Sequence, residues 1–222
     1  MEVLLMQSLI WKLLFVGSLL FVAAGCTTAQ FPTPTGFSYQ KIPVTSESVG
    51  SGKSTTVLFR GSPLPLIGSP ITVGETLRSV PVTSQDLSMK NISEEIVGTV
   101  RIISIVPSLD TKVCEQQTHY LSEKNGGLDS KVRLITISID TPFAQKRFAE
   151  EAEISNVEFL SDYRGAQFGK AHGLFLEGPH VLSRAVLVVD SHNTIRHLQI
   201  TPDLGHLPNM DKAFQIARTL VK

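Results

Sequence analysis

Apolar residues fall into three regimes along this chain. From Leu13 to Ala24 they run almost unbroken, interrupted only by Gly17 and Ser18. From Thr27 to about Ser54 they are sparse, and Ser, Thr, Pro and Gly dominate without sustained periodicity. Such a stretch buries too little apolar surface to offset the entropy of ordering it, which predicts a flexible tether over 26–54; an extended arm packed on the domain is the competing reading, kept open by Phe31, Phe37 and Tyr39. From Thr55 onward the apolar residues gather into strand-length and helix-length segments, so the folded domain is expected at 55–222.

Within that domain TTVLFRGSPLPLIGS predicts a β-hairpin around Arg60, Gly61 and Ser62, followed by more short strands and polar turns. TVRIISIV, 99–106, is β-branched and nearly all apolar, the pattern of a central strand covered on both faces. A helical pattern over 111–123 ends at Lys124, Asn125, Gly126 and Gly127. VRLITISI (132–139), a helix over 142–154, a short strand at 157–160 and a helix within 164–172 come next. RAVLVVD and TIRHLQI read as an antiparallel pair, and Met210, Ala213, Phe214 and Ala217 mark one face of a final helix. The order is that of an α/β layered domain with a central mixed sheet flanked by helices, similar to an elaborated thioredoxin-like fold.

Twenty basic residues balance twenty acidic ones, and no Lys/Arg cluster stands out. Nucleic acid is therefore not the expected partner, because phosphate binding needs a basic excess. The opening apolar run follows Lys12 and ends in small residues, which is secretory signal architecture over 1–25. The run is shorter than the ~20 apolar residues of a membrane-spanning helix. Val22, Ala23, Ala24, Gly25 and Cys26 resemble the lipobox of bacterial lipoproteins, with Ala23 where the pattern prefers Leu. That resemblance implies lipidation at Cys26 and a lipid anchor in a bacterial cell envelope. Ordinary cleavage near Ala29 is the alternative, and it would release a soluble periplasmic or secreted domain. Both routes export the domain.

The chain has two cysteines, and the second, Cys114, lies just beyond the central strand at the start of a helix. Thr111 is a candidate N-cap there, and unpaired N–H groups and the positive end of the helix dipole favour a thiolate. On cysteine statistics alone, burial as a small hydrophobe is the commoner outcome.

The string around it changes that balance. Pro107, Thr111 and Cys114 form PxxxTxxC directly after a central strand, which resembles the active-site signature of the peroxiredoxins; PSLDTKVC is similar to their thiol peroxidase branch. DTPFAQKRF, FLSDYRGAQFGKAHG and SRAVLVVD extend the resemblance in the same order across nearly all of 56–222. The resemblance implies that Cys114 is the nucleophile, that Pro107 shapes a dry pocket, and that Thr111 bonds the peroxide. It implies also that Arg184 holds the thiolate and polarises the peroxide oxygens. The implied activity is reduction of hydrogen peroxide or organic hydroperoxides through a Cys114 sulfenic acid, with no cofactor and no metal.

One departure matters. The resembled branch resolves that acid with a second cysteine in the helix after DxPFAQxRF, where this chain has Ala149. Three routes then stand: an external thiol or thioredoxin-like reductant in a one-cysteine cycle, which is the favoured reading; a disulfide between two Cys114 residues, the family often forming homodimers; or an unlipidated Cys26. The scattered histidines lack ligand spacing. His119 is not expected to act as a base, Glu115 is expected to point outward, and Arg147 and Arg164 are expected to be structural. The chief rival is a binding or scaffold protein that kept the fold and lost turnover. CxxC is absent, which disfavours a general thiol-disulfide oxidoreductase.

Overall fold

A computed structural model describes residues 36–94 and 98–221. The signal segment, Cys26 and the first part of the expected tether lie outside them. The domain is organised around a mixed sheet whose three inner strands are β6 (Arg101–Ile105), β7 (Arg133–Ser138) and β8 (Glu158–Ser161), all parallel. On one side β6 pairs antiparallel with β11 (Ala185–Val189), which pairs with β12 (Ile195–Ile200). On the other, β8 pairs antiparallel with β4 (Val82–Ser84), and β4 with β5 (Met89–Lys90). The expected hairpin forms as β2 (Thr56–Phe59) and β3 (Ser62–Ile67), joined by Arg60 and Gly61, both at positive φ, the geometry a tight two-residue turn requires. β9 (Phe175–Leu176) and β10 (Val181–Leu182) extend β3 into a smaller sheet.

The alternation of the central strands divides the core. Ile103, Ile105, Leu187 and Val189 point to the face covered by the smaller sheet and by α3 (Gln167–Ala171). Ile102, Val186 and Val188 point to the opposite face, where α1 (Lys112–Glu123), α2 (Pro142–Glu151) and α4 (Met210–Leu220) pack. Burial on both faces is why β11 reads as a continuous apolar run and β6 as a nearly continuous one. Local chemistry sets the helix starts. Thr141 Oγ1 accepts from Ala144 N at 3.3 Å with Pro142 at the first helical position, and Asn209 Oδ1 accepts from Lys212 N at 3.0 Å. The apolar face anticipated for the last helix is buried at Met210, Ala213, Phe214 and Ala217.

The later part of the expected tether is corrected. The compact unit starts at Phe37, and residues 37–49 form an extended arm on the domain, as Phe37 and Tyr39 hinted. Its strand β1 (Val44–Thr45) pairs parallel with β13 (Leu207–Pro208), and Gln199 Nε2 donates to the carbonyls of Thr45 (2.8 Å) and Glu47 (3.0 Å). Nearer its start, Phe37 stacks on His119 with ring centroids 3.9 Å apart, and Gln116 holds both backbone groups of Gln40, at 2.7 and 3.1 Å. Composition misjudged this segment because its order comes from hydrogen bonds to distant side chains and not from an apolar face of its own.

Candidate active site

Cys114 lies in the first turn of α1, fully buried among Val106, Leu109 and Met210. The topology places it there: β6 ends at Ile105, the chain turns at Pro107, and α1 begins at Lys112, beyond the carboxyl end of a central strand, where open α/β sheets place their ligand sites. Pro107 is half-buried and Thr111 exposed. Thr111 occupies the N-cap position with extended backbone angles, yet its side chain does not cap. Its hydroxyl turns back to donate to the Ser108 carbonyl at 3.0 Å, because the turn leaves that carbonyl nearest. The N–H groups opening α1 therefore keep their free ends.

Arg184 stands immediately before β11, whose Ala185 is in register with Ile105 at the end of β6. That pairing carries the guanidinium to Cys114 across a separation of 70 residues, and Nη2 lies 3.4 Å from Sγ. Arg184 is itself only 2% exposed, and two further donors are engaged: Nε by the Leu204 carbonyl at 3.0 Å and Nη1 by Gln117 Oε1 at 2.8 Å. Gln117 is fixed in turn by donating from Nε2 to Ser104 Oγ at 2.8 Å. The fork is thus locked in orientation by protein acceptors on two sides, with the cysteine sulfur on the third.

Two contributors escaped the sequence reading. Gln117, one turn beyond Cys114, is the first, and only its i+3 spacing on α1 could have suggested it. Asp140 is the second: its carboxylate accepts from Ser108 Oγ at 2.7 Å and Leu109 N at 2.8 Å, bracing the loop between Pro107 and Thr111 from the end of β7. Its place in DTPFAQKRF was visible, but not its reach across 32 residues.

The remaining candidates separate clearly. Ala149 is half-buried in α2 and packs against the α1-side core. Among the described residues Cys114 is a free thiol. His119 pairs through Nδ1 with Glu123 at 2.8 Å and is covered by Phe37, so it faces the arm. Arg147 on α2 lies 3.7 Å from Asp110 in the cysteine loop, with both side chains exposed, and Arg164 rests on the ring of Tyr163.

The fold and this arrangement define a class: a thioredoxin-like domain presenting one buried thiol at a helix start beneath a locked arginine. Known proteins narrow it. The Redoxin family model matches residues 70–214. The chain is 36% identical over 163 residues to a thiol peroxidase of Halalkalibacterium halodurans, covering 73% of this chain and 97% of that protein. It is 37% identical over 164 residues to a thiol peroxidase of Streptococcus pneumoniae, covering 74% and 99%. A solved peroxiredoxin-like protein from Aquifex aeolicus superposes with a TM-score of 0.70 at 32% identity, covering 77% of this chain and 99% of that one. The chain belongs to the Redoxin family, and within it to the thiol peroxidase branch of the peroxiredoxins.

Proposed function

We propose that this protein is a thiol-dependent peroxidase that reduces hydrogen peroxide or organic hydroperoxides at Cys114. The observation that carries the reading is the 3.4 Å approach of Arg184 Nη2 to Cys114 Sγ, both side chains buried, at a helix start. The Cys114 thiolate attacks one peroxide oxygen, the O–O bond breaks, and the other oxygen leaves with a proton as water or alcohol. Negative charge grows on that leaving oxygen, where the N–H groups opening α1 and the Arg184 guanidinium can receive it, and the Thr111 hydroxyl joins them by turning away from the Ser108 carbonyl. In this reading Pro107, half-buried in the turn before α1, helps to keep water from the sulfur.

In this reading the sulfenic acid is resolved from outside, by a thiol or thioredoxin-like partner, with Ala149 standing where the branch places its resolving cysteine. The N-terminus serves export, with Cys26 lipidated and the domain anchored at a bacterial envelope membrane. The lipobox-like segment before Cys26 supports this, and metabolic labelling with a radioactive fatty acid, lost in Cys26→Ser, tests it. Homodimer formation is a further expectation, tested by analytical ultracentrifugation.

The activity is tested by stopped-flow oxidation of the purified protein with hydrogen peroxide and with an alkyl hydroperoxide, alongside Cys114→Ser. Wild type is expected to consume at least one of them more than about a thousandfold faster than the variant. Equal rates would mean a scaffold on a peroxidase fold.

A further inference from the structure

The arm ahead of the family-matched residues 70–214 is seated on the helix that carries Cys114. Its contacts with α1 run along one outward stripe. Gln116 clamps both backbone groups of Gln40, at 2.7 and 3.1 Å, Phe37 stacks on His119 at 3.9 Å, and the Tyr39 hydroxyl donates to Glu123 at 2.9 Å. Lys124, just past the helix end, lies over the Tyr39 ring at 5.0 Å. Further along, the arm is fastened to different elements: Leu207 N donates to Pro43 O at 2.8 Å, and Val49 N to Ile200 O at 3.0 Å. Between these fastenings a cavity of about 320 Å³ remains beneath the arm, lined by Tyr39, Ile42, Gln116, Gln117, Tyr120 and Met210. The segment therefore grips α1 by discrete clasps and not by continuous packing, and those clasps can release while the later part of the arm stays fixed.

The position of the sulfur gives this grip a consequence. Cys114 is fully buried, so a peroxide of two heavy atoms can reach it far more easily than a thiol carried on a larger molecule. Reduction of the sulfenic acid requires an external thiolate to attack Sγ, forming a mixed disulfide and releasing hydroxide. A second thiolate then attacks that disulfide at the reductant's sulfur and frees Cys114. The attack on Sγ needs the first turns of α1 to move aside. We infer that residues 37–40 act as a strap that holds α1 closed over Cys114 and sets how readily bulky thiol reagents gain access, without contributing to the peroxide step. The inference rests on the proposed peroxidase role of Cys114 for its biological meaning, while the opening of α1 can be measured independently.

The test uses the full-length chain with Cys26→Ser, which leaves Cys114 as its one cysteine, and the same chain also carrying Phe37→Ala, Tyr39→Ala and Gln116→Ala together. Three rates are compared: amide hydrogen exchange by peptide, labelling of reduced Cys114 by the aromatic disulfide DTNB, and oxidation of Cys114 by hydrogen peroxide. The strap predicts that exchange over 112–120 and DTNB labelling rise at least about tenfold, as for loss of a local restraint, while exchange in β6, β7 and β11 and the peroxide rate stay within about twofold. Unchanged exchange and labelling would overturn it, and so would exchange that rises equally through those strands, since the arm would then support the whole fold. Failure of wild-type Cys114 to react with peroxide would sink the peroxidase reading instead, leaving the strap to be judged on exchange and labelling.

Discussion

Gln117 accepts a 2.8 Å hydrogen bond from Nη1 of Arg184, and so points Nη2 of the same guanidinium at Cys114. Both residues are buried, so the pair has no water to replace a lost partner. Gln117→Leu is expected to lower kcat/KM for peroxide by about ten- to a hundredfold, the range for misplacing one charge-stabilising donor. Gln117→Glu, which keeps an acceptor for Nη1, recovers most of that loss. Stopped-flow rates for the two variants decide it, since a role limited to packing would not favour Glu over Leu.

Lysine cannot reproduce the fork that Arg184 presents. Arg184→Lys places a single ammonium where three donors serve Leu204, Gln117 and Cys114, leaving buried acceptors unpaired. The peroxide rate is expected to fall about a hundredfold, and denaturant titration to show a loss of about 2 kcal/mol. A variant with wild-type rate would remove Arg184 from the chemistry.

Asp140 links β7 to the loop that opens the pocket. Asp140→Ala releases Ser108 Oγ and the Leu109 N–H, and the expected cost is about 2 kcal/mol of stability for charge-assisted bonds. Peroxide reactivity should fall about tenfold with it, because Pro107 and Thr111 lose their register. Measuring both quantities on the one variant separates loosening of the loop from simple unfolding.

Acid should weaken the fold through His172. Its ring is buried, with Nε2 accepting from Arg78 N at 3.1 Å and Nδ1 set 2.8 Å from the Phe168 carbonyl, and burial holds its pKa down to about 4 from an ordinary 6.5. The unfolded chain therefore binds the proton first as pH falls, so the stabilisation is complete above 6.5 and drains away toward 4. Nearby Asp162 works in the opposite sense. Burial raises its carboxyl to about 6, so its contribution grows as pH falls through that value. His172→Gln preserves the two hydrogen bonds without the titration. Between pH 7 and pH 5 wild type is expected to lose about 2 kcal/mol more than the variant in urea titrations.

The fate of the oxidised sulfur is open to direct chemical trapping. With one equivalent of peroxide and no thiol present, Cys114 is expected to be captured by dimedone as a sulfenic acid. Non-reducing mass spectrometry should show the monomer mass plus the adduct. With Cys26→Ser as the background, a disulfide-linked dimer in place of the adduct would assign resolution to a second Cys114.

The chain's own pattern was enough for the order of strands and helices, the apolar faces and the cysteine-bearing loop. Those features rest on local rules: AVLVV is wholly and RIISI mostly apolar because both faces are covered, and PSLDTKVC is one continuous string. Helix boundaries shifted by a few residues, the 142–154 helix ending at Glu151, since the last turns depend on what packs against them. Tertiary structure alone decided the rest. Antiparallel pairing of β11 with β6 delivers Arg184 to Cys114, an amide on α1 aims it, and a carboxylate on the β7 side braces the loop. The Ser- and Pro-rich segment before the domain became an arm because Gln116, Gln199 and His119 lie where its backbone and rings pass. None of these partners repeats with any period, so a linear pattern of apolar and polar residues carries no trace of them.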